Sequence, residues 1–223
     1  MGRPSKILAA GLALLSVCLF FAQKSKPETG EEQLETLTAE EHALLREGDF
    51  VFRLGYGMVS FFLESQTGAS GVSHIGVLVK GSSDFDVIHS ISGSMAEQDG
   101  VQKVSLNDFL FEAKPHSFVA IRLKNSNGEL IAKEARRLLA KRVPFDMSFD
   151  IKDTSKLFCS EMVNFILQKT HSVEVFSQEA TVFSFAGFFD ASKFEVLVDR
   201  REFFSILNPM STEERSRRDP LTF

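Results

Sequence analysis

The sequence predicts an α+β domain with an antiparallel sheet packed against helices, and three features carry the prediction. Residues 73–79 and 85–91 are two apolar, β-branched runs separated by Gly81-Ser82-Ser83-Asp84, the composition of a hairpin and its turn. Residues 128–142 carry Leu130, Ala135, Leu138 and Leu139 at helical spacing, which marks an amphipathic helix with one apolar side. Thr38-Ala39-Glu40-Glu41 is a capping box, in which the hydroxyl and the carboxylate each accept from the other residue's backbone N–H. It opens a helix running to about residue 46.

The other elements follow in chain order. Gly48-Asp49 breaks the first helix into a short strand at 50–53. Gly55-Tyr56-Gly57 leads to residues 58–63, whose apolar spacing predicts a helix ended by Gly68. Beyond the hairpin, residues 101–104 form a further strand, Ser105 caps a brief helix to Phe111, and 118–123 is strand again. Pro144-Phe145-Asp146 opens an irregular stretch that lasts until a helix starts at Cys159, and 194–198 is a late strand. The sequence contains no internal repeat and no low-complexity tract.

With 223 residues, 43% of them hydrophobic, the chain is long enough for one substantial core. That core must rely on Phe, since 23 phenylalanines stand against one tyrosine and no tryptophan. The formal net charge of -5 argues against a nucleic-acid surface, where a basic face is the usual footprint. The arginines at 215–218 are interleaved with acids and belong to a solvated polar tail, residues 211–223.

Residues 1–22 read as an export signal or membrane anchor. Arg3 and Lys6 form a positive start, and residues 7–22 are apolar and uncharged. The run is short for a membrane span and long for a signal core, and Phe20 sits where cleavage after Ala22 prefers a small residue. Leu15-Ser16-Val17-Cys18 is a loose lipobox, so Cys18 is either an ordinary member of the apolar run or a lipidation site. Cleaved, lipidated or retained, the segment would carry the domain to a bacterial periplasm or cell envelope, with membrane anchoring through the N-terminus in the last two cases. Residues 23–35 form an acidic linker, and 36–210 the domain itself.

Once the N-terminal segment is set aside, Cys159 is the only cysteine. A lone thiol forms no internal disulfide, and in an oxidising compartment it is a liability. At a helix start the dipole lowers a thiol pKa and favours the nucleophilic thiolate; a small buried hydrophobe is the other reading. His74 begins one strand of the hairpin and His89 ends the other, so both reach one rim of the sheet. A cysteine nucleophile needs a base for its proton and a third group to orient that base. His74 suits the base, and His89 the orienting role, although a single strand histidine is more often structural.

Four motifs occur in a telling order: Gly48-Asp49-Phe50-Val51-Phe52, Ser73-His74-Ile75-Gly76-Val77, Val143-Pro144-Phe145-Asp146 and Phe158-Cys159-Ser160-Glu161-Met162-Val163. Together they resemble the circularly permuted papain-like amidases of the YiiX/YaeF type, within the NlpC-like superfamily, over residues 48–170. The resemblance implies a permuted papain-like (NlpC-like) fold, Cys159 as nucleophile and His74 as general base. YiiX-type proteins usually carry glutamate on the strand after the histidine strand, where this chain has His89. A second histidine is closer to the lecithin–retinol acyltransferase-like branch, which widens the implied chemistry from amide hydrolysis to acyl transfer or lipid ester cleavage.

An oxyanion hole needs donors aimed at the developing charge. The backbone N–H of Cys159 is one candidate, and Tyr56 in its glycine-flanked loop is a second, against the plainer reading of a loop aromatic. Glu161 is expected at the surface or in packing, and Asp49 and Asp146 at a strand edge and a turn. For His42, His116 and His171 the sequence pattern points to no catalytic role. Residues Phe183, Phe185, Phe188 and Phe189 suit core packing better than an acyl-chain groove. Two readings compete with a cysteine hydrolase acting on peptide, peptidoglycan or acyl-lipid substrates without a cofactor. One is a metal site on His74, His89 and Cys159, which lacks any sequence-local ligand pair; the other is a non-catalytic envelope binding module.

Overall fold

The computed structural model describes residues 36–56, 71–176 and 185–201. The N-terminal segment, the linker, the expected helix at 58–63, Phe183 and the polar tail lie outside the described residues. Within them the order is α1 (Ala39–Leu44), β1 (Phe50–Arg53), β2 (His74–Lys80), β3 (Phe85–Ile91), β4 (Gly100–Ser105), α2 (Leu106–Phe111), β5 (Val119–Leu123), α3 (Gly128–Ala140), α4 (Cys159–His171), a 3-10 turn (Ala186–Phe189) and β6 (Phe194–Asp199). The α+β class and the hairpin at β2–β3 match the expectation. No helix among the described residues is long and apolar enough to cross a membrane.

The strands form one six-stranded antiparallel sheet in the order β4-β3-β2-β1-β5-β6. Strand alternation divides its residues between two faces. Phe50, Phe52, Ile75, Val77 and Ile88 join the buried sides of α3 and α4 in the larger core. Val51, Leu78, Val87 and Ala120 join Phe109 and Leu106 of α2 in the smaller one. Central β1 is thus buried on both faces, as its unbroken Phe-Val-Phe run requires. Phe185 and Phe188 pack edge-on against Phe52, which makes them core residues.

Local chemistry sets the element ends. Thr38 and Glu41 close the expected capping box, and Glu41 also binds Arg200. Helix α3 buries Ile131, Ala132, Ala135 and Leu138, whereas Leu130 is 44% exposed and does not belong to the apolar side as expected. The helix stops at Ala140, short of the expected 142, because Arg142 turns left-handed at φ 49°. Asp49 is buried beside Arg122, whose Nε and Nη2 donate to it at 2.7 and 2.8 Å, and it accepts the Arg46 N–H. Burial nevertheless raises its pKa, outweighing the guanidinium.

Gly48 joins the start of β1 to the start of α3. It sits at φ 89°, where only glycine is unstrained, and an added Cβ would collide with the Gly128 backbone. Gly48→Ala is therefore expected to cost about 2 kcal/mol or more, read as a lowered urea midpoint at unchanged slope. A variant as stable as the parent would show that this close approach does not constrain the fold.

Candidate active site

The open end of the β2–β3 hairpin holds the site. Strand pairing stops at Gly76–His89, one residue short of Ile75. The freed N–H of Ile75 is directed instead at the Cys159 sulfur, together with the N–H groups of Cys159 and Ser160 at the start of α4. The segment before α4 is tied to β3 where Ser90 Oγ donates to the Leu157 carbonyl at 2.6 Å. Helix α4 thus docks with its N-terminus where the two strands part.

His74 and His89 meet on the sheet face that carries α2. Arg53 is the register partner of His74, and Gly76 that of His89, so these residues share one face. The histidines are diagonal neighbours rather than directly opposed, a separation at which only long side chains touch. Gly76 leaves the position facing His89 empty, and an added Cβ there would strike Val87 and crowd His89. Val87 and the Cβ of His89 close in on that space, and His89 Nδ1 lies 2.7 Å from Nε2 of His74, a hydrogen bond whose direction depends on the tautomers. Both rings contact Phe109 of α2, with centroids 6.0 Å away in each case.

Burial dominates the electrostatics. It holds the His89 imidazole down to about 3, helped by the Arg53 cation. Burial, the neighbouring His89 and Arg53 likewise hold His74 well below its usual value. The expected lowering of the Cys159 thiol is overturned. Although three backbone N–H groups and Arg53 favour the thiolate, loss of water outweighs them and pushes the thiol up to about 11. The thiol and both imidazoles are therefore neutral at rest, with no preformed ion pair.

Two buried groups were not foreseen. Glu161, expected at the surface or in packing, is buried, because residues at the third helical place fold back over the helix start: its Oε2 accepts the Phe158 N–H at 3.2 Å. Burial first, then Asp146, Asp150 and Asp153, raise its carboxyl to about 7. Arg53 closes β1, buried except for its end at Glu112; a strand-ending arginine ordinarily reads as solvated, and only its place on the Val51 side hinted otherwise. Tyr56 follows β1 and is 39% exposed. Asp146 is buried and accepts from Ser148 and Asp150, a turn role as expected. His42 pairs with Asp84, and His171 bridges Asn127 and Thr170.

No family model and no curated protein matches the chain. A solved structure, yiiX of Escherichia coli O157:H7, matches with a TM-score of 0.56 at 19% identity, covering 70% of this chain and 98% of that one. The chain shares that protein's fold. That protein is described as a metalloprotein. Here, among the described residues, no group of three or more His, Cys, Asp and Glu side chains is arranged to hold a metal ion. The two histidines turn one nitrogen each toward the other rather than toward a shared point, so these residues do not fit a metal centre.

Two outcomes follow from this geometry. In the unfolded chain an imidazole protonates near 6.5, but folded His89 resists down to about 3, so its contribution to stability is lost as pH falls through that window, at up to about 1.4 kcal/mol per pH unit. Glu161 acts in the opposite sense, since its folded carboxyl keeps a proton to about 7 against 4.5 unfolded, and its share is lost as pH rises from 4.5 to 7. Urea titrations should show His89→Gln losing less stability than the parent between pH 6.5 and 4; parallel curves would contradict a neutral buried His89. Gly76→Ala should separate the rings, seen by NMR as a His74 pKa moved toward 6.5, and an unmoved His74 would sink the spacing argument.

Proposed function

We propose that the chain is a cysteine hydrolase of the permuted papain-like kind, with Cys159 as nucleophile, His74 as general base and His89 as its orienting partner. One observation carries the reading. His74 spends Nε2 on His89, which leaves Nδ1 uncommitted among the described residues, on the residue next to the N–H that reaches the Cys159 sulfur. For His74 to act as base, Nε2 must carry its proton and donate to Nδ1 of His89, so that Nδ1 of His74 presents a lone pair. His89 then carries its own proton on Nε2, the buried nitrogen that has no hydrogen-bond partner among the described residues.

The neutral resting pair makes proton transfer part of the attack. Nδ1 of His74 takes the thiol proton as sulfur bonds to the substrate carbonyl carbon and the carbonyl π pair moves to oxygen. The N–H groups of Cys159 and Ser160, with Tyr56 as a further donor, would face that oxyanion. Collapse breaks the bond to the amide nitrogen, which leaves as an amine with the proton from His74. Water then attacks the thioester, gives a proton to His74, and releases the acid and the thiol.

An amide in a cell-envelope peptide suits an exported enzyme of this kind, and the N-terminal segment supports export. The His74–His89 pair also favours a second reading, acyl transfer or lipid ester cleavage with the same thioester. Purified protein given peptidoglycan fragments and phospholipid vesicles in parallel, with products read by mass spectrometry, distinguishes the two. Cys159→Ala should abolish the product, and His74→Ala should lower its rate about 100-fold or more. Turnover that survives Cys159→Ala would overturn the hydrolase reading, as would one equivalent of bound metal lost in that variant together with activity.

A further inference from the structure

Arg53 is an unusual residue to bury, and its surroundings are built around it. It faces His74 across β1–β2. Nη1 donates to the Glu112 carbonyl and Nη2 to the Glu112 carboxylate, both at 2.6 Å, just beyond the end of α2. The guanidinium lies over the Phe109 ring, 4.9 Å from its centroid, the same ring that both histidines touch. Its Nε–H is buried and has no hydrogen-bond partner among the described residues. A buried donor left unmade costs stability, so the site keeps that group at a loss.

We infer that Arg53 is the fixed cation of the active site, holding a positive charge that favours the negative charge developing at Cys159 as its proton leaves. This rests on the proposed role of Cys159 as nucleophile. The Arg53 charge is felt at the Cys159 sulfur, where it favours the thiolate, and the thiolate in turn favours the charged guanidinium. The same charge opposes protonation of His74 and His89, so it promotes release of the thiol proton without letting the imidazoles keep one at rest. Arg53 acts on the reacting sulfur through its field and is a positioning residue in that sense.

Glu112 makes the inference two-sided. Its side chain is 57% exposed, and its carboxylate neutralises part of the Arg53 charge. Removing Arg53 and removing the Glu112 charge must therefore move the thiol in opposite directions. The other titratable groups at the open hairpin end and the first turn of α4 are His74, His89 and Glu161; all three are kept in every variant.

The experiment is alkylation of Cys159 in the full chain by iodoacetamide across pH 7–9, read at the Cys159 peptide by mass spectrometry. Arg53→Gln should slow alkylation by about 3-fold or more at each pH, and Glu112→Gln should speed it by a similar factor. Arg53→Lys, which keeps the charge but not the guanidinium, should lie nearer the parent. Rates that shift in the same direction for Arg53→Gln and Glu112→Gln, or not at all, overturn the inference. If Arg53→Gln fails to fold, Glu112→Gln carries the test alone, since an unchanged or slower thiol there is equally fatal. Alkylation needs no substrate, so a failed field effect is separate from a failed hydrolase reading, which shows instead as turnover surviving Cys159→Ala.

Discussion

The empty place at Gly76 is the constraint on which the site depends. Two residues on adjacent antiparallel strands, offset diagonally, do not ordinarily bring short side chains into contact. Here the residue facing His89 has no side chain, and Val87 and the Cβ of His89 pack into the space a Cβ would fill, so β3 and its histidine sit close against β2. The same point ends the β2–β3 ladder and frees the Ile75 N–H for the Cys159 sulfur. One small residue thus serves both sides of the sheet: a paired imidazole on the α2 face and a docking place for α4 on the other.

Around that point the protein tolerates polar groups that a stable core would exclude. His89 Nε2, Arg53 Nε and Glu161 Oε1 are all buried without hydrogen-bond partners among the described residues. Buried polar atoms are overwhelmingly paired in folded proteins, and the exceptions call for explanation. All three lie on residues that pack about the open hairpin end or the first turn of α4. Phe109 offers partial compensation, since its ring takes the Arg53 cation and stands at 89° to His89. It is also the residue through which α2 fixes the relative placing of the cation and the two rings.

The hairpin, the helix at Cys159 and the shared rim of His74 and His89 were legible in the sequence because each follows from periodicity. Alternation fixes which strand residues share a face, and a turn of known composition fixes which ends are adjacent. What the sequence hides is solvent. Arg53 ends a strand and looks solvated until α2, more than fifty residues later in the chain, covers it with Phe109. Glu161 looks exposed by spacing from Cys159, yet the helix start recovers it to bind Phe158 N–H. The dipole at Cys159 is visible from helix position alone, whereas the burial that overrides it exists only once the two cores have closed.

That reversal answers the question a lone cysteine poses. A thiol held as thiolate reacts with any oxidant that reaches it, whereas a buried neutral thiol does not. Raising Cys159 to about 11 makes it safe at rest and useless as a nucleophile without assistance. In the proposed mechanism the assistance is local: a base nitrogen on His74 takes the proton as sulfur attacks, and the Arg53 charge favours the thiolate throughout. Burying uncharged histidines and an arginine incompletely bonded among the described residues gives up stability to that end.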